Sequence, residues 1–91
     1  MRNTQRRTTR LKKNQPYKVT WFDIVNNNEW MTEQEVRAEV LATKPQQHVW
    51  YFVGYLRDWR IFSSGKANEN GDYPDYYALP KGVIKQVTKI R

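Results

Sequence analysis

Three lysines, Lys81, Lys85 and Lys89, recur at every fourth residue in the stretch LPKGVIKQVTKI. An ammonium group recruits an anionic oxygen as a compact point charge. In a strand this spacing places Lys85 and Lys89 on one face with Val87 between them, and Gln86 and Thr88 opposite. A second group lies in YLRDWR, where Arg57, Trp59 and Arg60 follow Tyr55. Aromatic faces stack on bases for about 1–3 kcal/mol each, while guanidinium and ammonium groups meet phosphates. A third is the N-terminal run MRNTQRRTTRLKK, which carries Arg6, Arg7, Arg10, Lys12 and Lys13. Together these define the candidate binding set: Arg6, Arg7, Arg10, Lys12, Lys13, Arg57, Trp59, Arg60, Lys81 and Lys85. The anion they suit is a nucleic acid or a nucleotide.

Each group also has a purely structural reading. Pro80-Lys81-Gly82 serves equally as the corner between two strands, and a lysine on such a corner is still well placed to meet a phosphate. Thirteen aromatic residues in a 91-residue chain also suit a small core and a subunit interface. The basic run reads either as a solvated tail or as an arm contacting several phosphates with strong salt dependence.

Covalent chemistry has far less to work with. The chain has one histidine, His48, and no cysteine. No nucleophile elbow, zinc spacing or usefully spaced carboxylate pair is present. His48 reads as an edge residue rather than a base. Glu33 and Glu35 belong to a helix cap. Gly65-Lys66 lacks the rest of a phosphate-binding loop, and Asn68–Asp72 lacks calcium-loop spacing. A non-enzymatic protein without a cofactor or metal is expected.

The net charge of +7 is unevenly distributed. Residues 1–18 hold seven basic residues and no acid, and residues 19–91 hold nine of each. The body is balanced overall, so the total charge does not identify its partner. No apolar run approaches the roughly 18 residues of a membrane span, and no apolar segment follows the basic N-terminus as in a secretion signal. Absence of cysteine fits a reducing cytoplasm.

These residues need elements to position them. Residues 1–16 hold little that can be buried and read as a disordered arm. The rest forms one domain, 17–91. YKVTWFDIV reads as a strand with Tyr17, Val19 and Trp21 on one face. Thr32 with Glu35 forms a capping box, with Met31 and Val36 at the staple positions, and predicts a helix of about ten residues ending before Pro45. A helix this short must dock its apolar stripe of Val36, Val40 and Leu41 on the sheet. Strict alternation in QHVWYFVGYL sets Val49, Tyr51, Val53 and Tyr55 against Trp50, Phe52, Gly54 and Leu56, with Gly54 marking a bulge or bend. A turn at Arg57–Arg60 then leads to a second strand, Ile61–Ser63. The long polar loop that follows is of a length often found functional. Tyr76–Leu79 reads as a strand, Lys81–Val83 as one turn of 3₁₀ helix in which Gly82 permits an unusual backbone conformation, and Ile84–Ile90 as the last strand.

Val19–Asp23, Trp30, Val53–Leu56 and Leu79–Ile84 resemble segments of small accessory proteins encoded by tailed bacteriophages. The resemblance spans most of Val19–Ile90 but not the arm. It implies a bent antiparallel SH3-like or Sm-like β-barrel, mainly β with one short helix after the first strand, acting in the host cytoplasm. Two uses follow. One is nucleic-acid binding through the arm and the aromatic, basic barrel surface. The other is a homo-oligomer that sequesters a small anion such as a nucleotide signal, or that inhibits a host protein. No membrane partner is expected.

Overall fold

The structure is a computed structural model and describes residues 10–90. Five strands form one antiparallel sheet: β1 (Pro16–Trp21), β2 (Gln46–Leu56), β3 (Trp59–Ser63), β4 (Tyr77–Pro80) and β5 (Ile84–Lys89). The single helix α1 (Glu33–Ala42) lies between β1 and β2. The strand order is β4-β3-β2-β1-β5, with β4 and β5 as the two edges of a sheet that is not closed.

One short connection forces the sheet to curl. Pro80 pairs with Trp59, beside the β2–β3 turn at the far end of β2. Ile84 pairs with Trp21, which itself pairs with Gln46 at the start of β2. Only the 3₁₀ turn Lys81–Val83 joins them. At about 2 Å per residue in such a turn, the chain cannot cross a flat sheet whose central strand of 11 residues extends some 3.3 Å per residue. The opposite corners must come together, and a concave face results.

That face holds the core. Tyr17, Val19, Trp50, Phe52, Phe62 and Leu79 are buried, with Val19 and Phe62 fully enclosed. Aromatic packing does much of the filling. Phe52 meets Phe62 edge-on at 5.6 Å between ring centroids, and Trp50 stacks on Tyr77 at 4.7 Å.

Both breaks in register fall on this face. Phe52 pairs with Phe62, but Gly54 pairs with Ile61, so Val53 is an extra residue. The expected bulge is there, but its consequence differs from strict alternation. Tyr55, set against Phe52 by counting, is carried onto the same face and packs edge-on against the Phe52 ring at 4.8 Å. The second irregularity, opposite Thr20/Trp21, makes Lys85 the extra residue of β5. Gly82 does not carry the unusual conformation expected of it: Gly71 is the glycine with positive φ, at 86°.

Two further expectations are corrected. The described part of the 1–16 arm is held, not free. The Asn14 N–H donates to the Phe52 carbonyl at 2.8 Å, Gln15 accepts from the Phe52 N–H at 3.0 Å, and Leu11 packs on the core. Pro16 already belongs to β1. The helix forms with its capping box intact, Glu35 N–H donating to Thr32 Oγ1 at 3.1 Å and Thr32 N–H to Glu35 Oε1 at 2.9 Å. It does not dock, however: no residue of α1 is buried. β1 ends at Trp21, so Phe22, Ile24 and Val25 leave the sheet with the helix and are exposed.

The β3–β4 loop is tied internally. The Asp75 carboxylate accepts from the Ser64 N–H at 2.8 Å and from the Ser63 and Ser64 hydroxyls at 3.0 and 2.8 Å. Asn68 accepts from the Asn70 and Asp72 N–H groups, and Asn14 accepts from the Ala67 N–H. These bonds give the loop a structural purpose.

Candidate anion-binding groove

A groove of about 730 Å³ opens on the concave face. Its basic lining is Arg10, Lys12, Arg60, Lys81, Lys85 and Lys89, and no acidic residue contributes to it. Three separate stretches of chain supply these groups: the segment before β1, the start of β3, and the continuous run of the 3₁₀ turn and β5. They meet because the sheet curls.

Two tyrosines build its floor. The Tyr55 hydroxyl accepts from the Leu11 N–H at 2.8 Å, and the Tyr17 hydroxyl accepts from the Lys12 N–H at 2.8 Å. The chain entering β1 is thereby laid along the groove. The Tyr55 ring also holds two cations: the guanidinium carbons of Arg10 and Arg60 lie 4.7 and 4.8 Å from its centroid. Each contact is worth about 0.5–1 kcal/mol at an accessible site. Arg60 is further fixed by donating through Nη1 to the Arg57 and Trp59 carbonyls at 3.3 and 3.4 Å. Apolar side chains of Leu11, Ile84 and Val87 complete the wall.

The electrostatics follow from this lining. Of the six cations, Lys81 faces a carboxylate, with Nζ 3.8 Å from Asp58 Oδ1. Both groups are exposed, so the pair gains little. A concave low-dielectric wall lined by one sign of charge concentrates field and attracts counter-charge.

Five of the ten sequence candidates therefore converge: Arg10, Lys12, Arg60, Lys81 and Lys85. Lys13, Arg57 and Trp59 do not line the groove. Arg57 occupies the β2–β3 turn with φ of 54°. Trp59 neighbours Arg60 in β3 and so points to the other face. Arg6 and Arg7 lie outside the described residues. Sequence reasoning missed Tyr17, Tyr55 and Lys89 as site residues. Lys89 was legible from the four-residue spacing. Tyr55 was not, because its face depends on the bulge.

His48 has a structural environment. Its Nδ1 accepts from the Trp21 Nε1–H at 3.1 Å, and its ring stacks on Trp50 at 4.6 Å and 1° between planes. Trp21, His48, Trp50 and Tyr77 thus form one aromatic ladder. Among the described residues no cluster of three or more His, Cys, Asp or Glu could hold a metal ion, and no helix is long and apolar enough to cross a membrane.

Comparison with known proteins finds no matching family model, no similar curated protein and no similar solved structure.

Proposed function

We propose that this chain is a nucleic-acid-binding accessory protein, built as an open SH3-like or Sm-like barrel of the kind tailed phages encode, and that the groove holds a single strand. The observation that carries the reading is the convergence of six cations and two tyrosines, with no carboxylate, in one concavity. Its lining along β5 suits a backbone track: Lys85 and Lys89 come from that strand, while Arg10 and Arg60 share the Tyr55 ring. Non-specific single-strand binders combine such a charged track with aromatic surfaces. Sequence preference is expected to be weak, since the cations address phosphates rather than base edges.

The volume favours a second reading. About 730 Å³ lies within the roughly 300–1,000 Å³ of small-molecule sites, so a free nucleotide fits as well. Titration of fluorescein-labelled thymidylates of 1 to 20 nucleotides, followed by anisotropy, separates the two. A single-strand track predicts affinity rising with length until the groove is filled. Saturation by the mononucleotide, with no gain on lengthening, establishes the nucleotide reading. No binding of either class at low salt rejects both.

A further inference from the structure

The excursion from Phe22 to Thr43 is the chemical opposite of the groove. It holds five carboxylates, Asp23, Glu29, Glu33, Glu35 and Glu39, against one arginine, for a net charge of −4. Five of the protein's nine acidic residues are concentrated there. It also exposes apolar side chains, with Val36 and Val40 lining an open hollow alongside Val25, Trp30 and Met31. Ile24, Leu41 and Trp30 are 84, 86 and 103% exposed, Val36 and Val40 about half exposed, and no residue of α1 is buried. A ten-residue helix without tertiary packing is marginal in water. It needs an occupant on its apolar face.

We infer that α1 of one copy docks in the basic groove of a second copy. Charge decides between the ways two copies can meet. A symmetric helix-to-helix contact sets four net negative charges against four. Helix-to-groove contact sets the same four against six cations. It also covers two apolar surfaces together: the Val36–Val40 stripe, one helical turn apart, and the groove wall of Leu11, Ile84 and Val87. Glu33 and Glu39 flank that stripe on the helix, three residues from Val36; their present partners, Arg37 at 2.9 Å from Glu33 and Asn27 Nδ2 at 3.2 Å from Glu39, are exposed contacts of the same excursion that the lysines of β5 would replace. No residue of the excursion lines the groove of its own chain, so the partner helix must come from another molecule. The contact is heterologous, and it propagates into a ring or a chain rather than stopping at a symmetric dimer.

The interface is independent of whether nucleic acid is the physiological ligand, because it uses only the groove's own cations and apolar wall. Where a strand does bind, helix and strand compete for the same cations.

Sedimentation velocity on the full chain across concentration tests this at 50 and 500 mM NaCl. Mass is expected to rise with concentration at low salt, and association to weaken roughly tenfold or more at high salt, as screening of charge complementarity requires. Two variants make the test specific: Lys85→Glu/Lys89→Glu removes the groove, and Glu33→Lys/Glu39→Lys reverses the helix. Each alone should be monomeric, yet an equimolar mixture should associate, the intact helix of the first occupying the intact groove of the second. Retained strand circular dichroism shows that each variant folds. Association that strengthens with salt establishes the symmetric helix contact instead and overturns the inference. So does a mixture that stays monomeric, or a wild-type chain monomeric at low salt throughout. Loss of oligonucleotide binding with association intact rejects the nucleic-acid reading alone.

Discussion

Tyr55 is the residue on which the groove turns. Its ring supports two guanidinium groups and its hydroxyl holds the Leu11 amide. Substitution separates the two roles. Tyr55→Phe keeps the ring and loses one neutral hydrogen bond, a cost of about 1 kcal/mol, with anion binding largely retained. Tyr55→Ala removes the platform as well, and oligonucleotide affinity should fall about tenfold while the strands persist, checked by anisotropy and circular dichroism. Phe62 shows the contrasting case. It is fully enclosed at the centre of the ring cluster, so Phe62→Ala should destabilise by about 3–5 kcal/mol in urea denaturation. Asp75 adds a pH signature. The Ser64 N–H, then the Ser64, Ser63 and Tyr77 hydroxyls, hold its carboxyl below the ordinary aspartate value of 3.8. A pKa lower in the folded state means that the ionised form favours folding. The contribution is complete above about pH 4 and is lost as pH falls through the lowered folded value. Asp75→Asn should therefore lower the melting temperature at pH 7 and flatten its dependence below pH 4.

At the level of elements, most of the secondary structure was legible because local chemistry specifies it. The Thr32–Glu35 capping box starts α1, alternation marks β1, and Pro80 with the Lys81–Val83 turn marks the corner between β4 and β5. Two features were not. Counting cannot tell which residue a bulge leaves unpaired, so the face of Tyr55 was assigned wrongly. Nor does an apolar stripe disclose whether it is covered within its own chain, so Val36, Val40 and Leu41 were expected against the sheet. The first is a matter of ladder registry and the second of tertiary geometry. The undocked helix makes its own prediction. Thr32→Ala removes a cap worth about 1 kcal/mol to the helix. Because no residue of α1 is buried against the sheet, amide exchange in α1 should accelerate while exchange in β2 and β3 stays unchanged at a protein concentration where the chain is monomeric.

For the whole molecule, the apparent neutrality of residues 19–91 conceals a separation of charge. The helix excursion carries four net negative charges, and the remainder balances them. A single sum along the chain could not show this, because the groove assembles cations from residues 10 to 89. The division of the basic N-terminus also changes. Arg10, Lys12 and the hydrogen bonds of Asn14 and Gln15 belong to the folded body. Deleting the chain through residue 16 removes the Leu11 packing and the first pairing of β1, and should unfold much of the population, read by circular dichroism.

The central claim is that the groove is an anion track, and the salt dependence of single-strand binding tests it most directly. The measurement is the slope of log affinity against log salt for a 20-nucleotide oligothymidylate, with wild-type protein and Lys85→Gln/Lys89→Gln. Each phosphate contact on a single strand contributes about 0.7 to that slope. The groove account predicts a double variant with a slope shallower by about 1.4 and weaker binding at low salt. Identical slopes and affinities for the two proteins would contradict it.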